Sequence, residues 1–158
     1  MTHLSEVTLT QRVLRLLRTV SATIWVQPPV TCLSVPGAYD PSSVPAYISV
    51  RAGLTLYERT LILVHELTHA CLHRPGSDDF DFDRYMKEEV CSHESTDTLC
   101  VAYGVHDYRR VMLHLHVQPK MLLRGTDPTT VSVMVERVAS ALEASEIVPE
   151  WAHPIQAP

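Results

Sequence analysis

Leu56-Tyr57-Glu58-Arg59-Thr60-Leu61-Ile62-Leu63-Val64-His65-Glu66-Leu67-Thr68-His69-Ala70-Cys71-Leu72-His73 is the stretch on which the fold of this chain turns. Its apolar residues (Leu61, Ile62, Leu63, Val64, Leu67, Ala70, Cys71 and Leu72) fall on every side of a helix, which predicts a buried helix rather than a surface one. Thr55 and Glu58 form a capping box at its start, and Arg74-Pro75-Gly76 ends it. Three polar side chains, His65, Glu66 and His69, interrupt the apolar run. Left unpaired in a core, each would be costly to bury. Positions i and i+4 of a helix lie about 40° apart around its axis and about 6 Å along it. Two imidazole nitrogens at that spacing can reach one zinc ion with tetrahedral geometry. The Glu beside the first His then stands next to the metal, where it can take a proton from water that the metal acidifies.

Such a site needs a third ligand. The pattern H-E-x-x-H-x-x-G-x-x-H is excluded, because Leu72 and Pro75 stand where its Gly and third His belong. His73 continues the i+4 row, but it is about 12 Å along the axis from His65, too far to share one ion. A Glu from the following helix remains, and Glu88, Glu89 and Glu94 are the candidates. Of these, Glu89 shares a helix face with Ser92, His93 and Thr96, at spacings of three, four and seven.

His65-Glu-Leu-Thr-His69-Ala70 followed by Glu89-Val-Cys-Ser92-His93 resembles the gluzincin arrangement of thermolysin-like peptidases, H-E-L-T-H-A and then E-x-x-S-D, with the same gap between the second His and the Glu. Three features are more similar to the ImmA/IrrE family of metallopeptidases. These are the small size of the chain, the strand Tyr47-Ile-Ser-Val50 ahead of the helix, and His73 closing H-E-L-x-H-x-x-x-H. That family carries E-x-x-A-N/E on its second helix, shortly before an apolar stretch, and Val101-Ala-Tyr-Gly104 falls where that stretch belongs. The similarity spans Tyr47 to Gly104. It implies a small zincin-like domain with one zinc held by His65, His69 and Glu89, and Glu66 as general base. It also implies a cytoplasmic zinc endopeptidase whose substrate, in the relatives, is commonly a helix-turn-helix repressor. The chain departs from the pattern at His93, where relatives carry Asp, Asn or Glu to orient a ligand His. His93, with Ser92 beside it, could orient a ligand through a neutral ring nitrogen or could itself ligate.

Outward from the motif, Thr8 to about Val20 reads as a first helix, with Leu9, Val13, Leu16, Leu17 and Val20 on one stripe. Ala22 to Gln27, Thr31 to Val35 and Ala46 to Val50 read as strands. Pro36-Gly37 and Asp40-Pro41 are turn signals that bracket a loop between the last two. Beyond the motif helix come an acidic loop from Ser77 to Asp83, a helix from about Arg84 to Tyr103 stopped by Gly104, and an uncertain stretch from His106 to Arg124. The last helix has Asp127 as cap, Pro128 at its first position, and a stripe of Val131, Val135, Val138 and Leu142. The expected class is α+β: a short mixed sheet from the first third, packed on the H-E-x-x-H helix, then a second ligand-bearing helix and C-terminal helices. No linker divides the chain, so residues 1–148 form one domain and the Pro-rich residues 149–158 a loose tail.

The other polar features weigh less. Asp79, Asp81 and Asp83 begin like a calcium loop, but Arg84 and Val90 stand where its Gly and its bidentate Glu belong. A stabilising donor for a transition-state oxyanion could come from His114, His116, Tyr85, Tyr103 or Tyr108, and the sequence does not choose. Cys32, Cys71, Cys91 and Cys100 form no C-x-x-C pair, so they read as core filler in a reducing compartment rather than as a disulfide framework. The formal net charge is -5, and Arg12, Arg15 and Arg18 mark only the wet face of a helix, so no nucleic-acid partner is expected. The opening residues lack the pattern of a secretory signal, and no apolar run approaches the ~20 residues that span a bilayer. The expectation is a cytoplasmic protein with a protein or peptide substrate, a helix-turn-helix repressor being the one the resemblance suggests. The alternatives are a catalytically weak or inactive zincin-fold module that senses or binds, and a hydrolase of non-peptide amides.

Overall fold

Helix α1, Leu56–Leu72, starts on the capping box read from the sequence. The backbone N–H of Thr55 donates to Glu58 Oε2 at 2.9 Å, and the N–H of Glu58 donates to Thr55 Oγ1 at 3.2 Å. This is a computed structural model that describes residues 9, 11–13, 23–27, 36–40, 47–72, 82–123, 125–144 and 155–156. Of the first predicted helix, the described residues are helical, and Leu9 and Val13 are buried in the main core. The predicted strand at 31–35, His73, Asp79 and Asp81 lie outside the described residues.

Helix α2, Phe82–Ala102, is closed by Gly104 at a left-handed φ of 77°. The N–H of Val105 donates to the carbonyl of Cys100, and that of Gly104 to Val101, each at 2.9 Å. Together they satisfy the last carbonyls of the helix. The uncertain stretch resolves into a short helix α3, Tyr108–His114, and a 3-10 turn, Pro119–Leu122. Helix α3 closes in the same way on a non-glycine residue: His116 has φ 67°, with Val117 bonded to Met112 and His116 to Leu113. Helix α4, Pro128–Ala144, begins where predicted. Asp127 accepts from the N–H groups of Thr129 and Thr130 at 3.3 and 3.2 Å.

The strands β1 (Thr23–Gln27), β2 (Gly37–Asp40), β3 (Tyr47–Arg51) and β4 (Ile155–Gln156) form one mixed sheet in the order β2-β3-β1-β4. Strands β1 and β3 are parallel, as are β1 and β4, whereas β2 and β3 are antiparallel. The fold is therefore α+β, mostly helical with a small sheet. Two expectations change. Residues 37–40, read as a loop, are a strand: Gly37 is there for close approach rather than for a turn. A Cβ on it would lie 2.4 Å from Ile62 Cγ2 and 3.2 Å from Glu66 Oε1. Ile155–Gln156 pairs with β1, so the tail read as loose carries a strand.

Helix α1 joins the two parts of the molecule, packing on β2 and β3 and also on α2 and α4. Its Leu61, Ile62, Val64 and Leu67 share one core with Ile48, Val50, Leu99, Tyr108, Met112 and Val138. Cys91, Val131 and Met134 form a smaller cluster between α2 and α4. Because α1 is surrounded, its polar residues must find partners inside the protein.

Candidate metal centre

His65, Glu66 and His69 are all buried on α1, with exposures of 5, 4 and 5 %, so their polar atoms depend on one another and on α2. That helix brings Glu89 to them. One ligand atom from each of His65, His69 and Glu89 can be chosen so that all lie within 4.8 Å of one another, a group able to hold a metal ion. In detail, His69 Nε2 is 2.8 Å from Glu89 Oε1, His65 Nε2 is 3.4 Å from Glu89 Oε2, and the two Nε2 atoms are 3.2 Å apart. Glu66 Oε1 lies 3.9 Å from His65 Nε2, beside the group rather than within it.

Burial sets the charges. The His65 ring is driven neutral by burial and by the His93 ring against it, which hold its pKa down at about 3. For His69, burial works the same way, but hydrogen bonds to Glu88 and Glu89 outweigh it and lift the ring to about 10. Burial also opposes ionisation of Glu89, yet the facing His65 and the hydrogen bonds to His65, His69 and His93 keep its carboxyl well below the usual range. Glu66 is pushed up to about 8 by burial and by the charge of Glu89, against the opposing pull of His69. The site without an ion is thus held by a charged His69 between two carboxylates.

Glu88 was open as a ligand; the structure gives it a different place. Its Oε1 is 2.8 Å from His69 Nδ1, on the side of the ring away from the ligand group. The two nitrogens of an imidazole diverge, so neighbouring residues of a facing helix can reach both sides of one ring. Glu88 therefore takes the orienting position that the sequence offered to His93. His93 instead stands behind Glu89, with Nε2 3.5 Å from Glu89 Oε2 and Nδ1 2.8 Å from the Tyr108 hydroxyl. Its ring stacks on that of His65, with centroids 4.0 Å apart. Ser92 is fully buried, and its Oγ, like His65 Nδ1, has no hydrogen-bond partner among the described residues. Glu94 turns away and accepts from Thr126.

The oxyanion candidates separate as well. His114 and His116 are exposed, and His116 is a helix cap. Tyr103 packs against the core under the Arg12 guanidinium, which is 6.0 Å from its ring centre. Tyr108 is fully buried, with its hydroxyl bonded to His93 and to Thr96. Tyr85, one turn ahead of Glu89 on α2, hydrogen-bonds to it and stays partly exposed. It is the candidate nearest the ligand group.

Compared with models of protein families, with curated proteins and with solved structures, the chain matches none. Among the described residues no helix is long and apolar enough to cross a membrane.

Proposed function

We propose that this chain is a zinc-dependent endopeptidase with a zincin-like fold, cutting a peptide or protein substrate with Glu66 as general base. The observation that carries the proposal is the convergence of His65 Nε2, His69 Nε2 and the Glu89 carboxylate on one point, with Glu66 alongside. Four donors at ~2.05 Å around a tetrahedral ion lie about 3.3 Å from one another. The two Nε2 atoms, 3.2 Å apart, suit that spacing, and the Glu89 carboxylate reaches them with Oε1 2.8 Å from His69 and Oε2 3.4 Å from His65. Two imidazoles and a carboxylate, with His69 giving up its proton to the metal, also match the three-ligand donor set of catalytic rather than structural zinc. Bound there, zinc would supply a Lewis acid that acidifies water and polarises a carbonyl.

The protein's own residues supply the rest. Glu66 takes a proton from the attacking water and passes it to the leaving amine. Its raised pKa suits a group that must both hold and release a proton. Tyr85, which partners Glu89, is the residue we assign as donor to the developing oxyanion. An extended substrate needs an exposed strand edge. Strand β3 cannot supply it, because it lies between β2 and β1. Of the two edge strands among the described residues, β2 and β4, it is β2 that passes Glu66, at Gly37. A substrate strand paired to β2 therefore runs past the base.

The resemblance supports a regulatory protein, such as a helix-turn-helix repressor, as substrate. Cys91 and Cys100 are free buried thiols, which suits the reducing cytoplasm. The test is to incubate the zinc-loaded chain with a cell extract and label new N-termini. New termini should appear with the parent and vanish with chelator and with Glu66→Gln. A metal-loaded parent that yields the same termini as Glu66→Gln would favour the binding or sensor module instead.

A further inference from the structure

We infer that His93 and Tyr108 form a positioning relay that holds one oxygen of Glu89 and leaves the other for the metal; this rests on the metal-site reading above. The relay joins three helices: His65 on α1, Glu89 and His93 on α2, and Tyr108 on α3. His93 is 4 % exposed and Tyr108 0 %, so water does not substitute for either partner.

The protons can be placed one at a time. A neutral imidazole carries one N–H and one acceptor nitrogen, and a carboxylate only accepts. His93 Nε2 faces Glu89 Oε2 at 3.5 Å, a contact that attracts if the nitrogen carries the proton and repels if it presents its lone pair. The proton therefore sits on Nε2. Nδ1, 2.8 Å from the Tyr108 oxygen, is then an acceptor, and the Tyr108 O–H donates to it. The His93 ring lies against that of His65, with centroids 4.0 Å apart and planes within 23° of parallel, so packing fixes the plane in which its two nitrogens point.

The consequence lies at Glu89. Oε2 is engaged from behind, whereas Oε1 faces His69 Nε2 at 2.8 Å. With Oε2 held by the His93 N–H beside its 3.4 Å approach to His65 Nε2, Glu89 presents Oε1 to the metal, and the short helix α3 acts on the site without lining it.

The direct test reads the side-chain nitrogen-15 shifts of His93 in the full chain loaded with zinc. Nε2 should be protonated and Nδ1 bare; a proton on Nδ1 overturns the relay. This uses the unmutated chain, so a variant that fails to fold does not decide the matter. Chelator competition for zinc gives the second reading. His93→Ala should weaken binding by about 10–100-fold and Tyr108→Phe by about 3–10-fold, in the range of losses behind a ligand. His93→Gln restores an N–H at the place of Nε2 and should stay within about threefold of the parent. With cobalt in place of zinc, the visible bands of Tyr108→Phe should shift as Oε2 is released. Parent-like affinity and an unshifted cobalt spectrum in a folded Tyr108→Phe would sink the relay while leaving the metal site standing. A parent that takes up neither metal removes the site itself, and the relay with it.

Discussion

Replacing Glu88 by alanine leaves all three ligand side chains in place and should still weaken the metal site. The hydrogen bond from His69 Nδ1 to Glu88 Oε1, at 2.8 Å, fixes the ring so that Nε2 points at Glu89, and makes that nitrogen a better donor. Loss of such a partner costs about 10–100-fold in metal affinity, or about 1.4–2.7 kcal/mol. Glu89→Ala should cost more. A whole structural zinc site is worth about 10–16 kcal/mol, so one of its four ligands accounts for about 3–4 kcal/mol, or about 10²–10³-fold. Glu94→Ala is the control: its carboxylate is held by Thr126 and should bind zinc as the parent does. Glu88→Gln separates orientation from charge. Its amide oxygen still accepts from Nδ1, so its affinity should fall between those of the parent and Glu88→Ala. The assay is competition against a chelator of known affinity, with circular dichroism to show that each variant is folded. A Glu88→Ala that binds like the parent, or a Glu94→Ala that loses as much as Glu89→Ala, would refute this arrangement of α2 against α1.

Glu66→Gln keeps the shape of the base but not its function; it should retain zinc by metal analysis and lose at least about 10²-fold in cleavage rate. Gly37→Ala puts a Cβ 2.4 Å from Ile62 Cγ2 and should destabilise by about 1–3 kcal/mol in denaturant melts; Ile62→Leu removes that methyl and should recover part of the loss. His116→Gly relieves a left-handed φ of 67° and should leave the melting temperature unchanged or raised, by up to about 1 kcal/mol of stability; a clear loss would mean that the His116 side chain holds α3 in another way. In the metal-free chain the His69 ring is raised from 6.5 to about 10 and the Glu66 carboxyl from 4.5 to about 8. Both bind protons more tightly folded than unfolded, so their contributions are full below the unfolded values and fade as pH climbs through the folded ones. Metal-free stability should therefore fall from pH 7 to 10, while zinc affinity rises about tenfold per unit as the His69 proton is displaced; a zinc affinity flat in pH would contradict a charged His69.

What could be read from the sequence was mostly local. A capping box, a proline at a first helical position and a glycine after a last one act over four or five residues, so α1, α2 and α4 were visible at their ends. The approach of His65 to His69 is likewise a property of one helix. Glu89 depended on a spacing pattern rather than on physics alone. Glu88 was missed because its role depends on which side of the His69 ring α2 lies, a tertiary fact. The same holds for His93, whose partner Tyr108 sits on another helix. Strand β2 was hidden because Gly37-Ala-Tyr-Asp40 is short, weakly apolar and starts on a glycine. Only the nearness of Ile62 and Glu66 explains that glycine. Strand order is non-local too, so the inner place of β3 cannot be read from its own residues.

Metal content of the purified chain, measured beside His69→Ala, tests the central claim most directly. The parent should carry close to one zinc per chain, or take up one when zinc is added to chelator-stripped protein, and His69→Ala should carry far less under the same conditions. A folded parent that holds no zinc and takes up none, or a His69→Ala that binds as tightly as the parent, would contradict the site and the chemistry built on it.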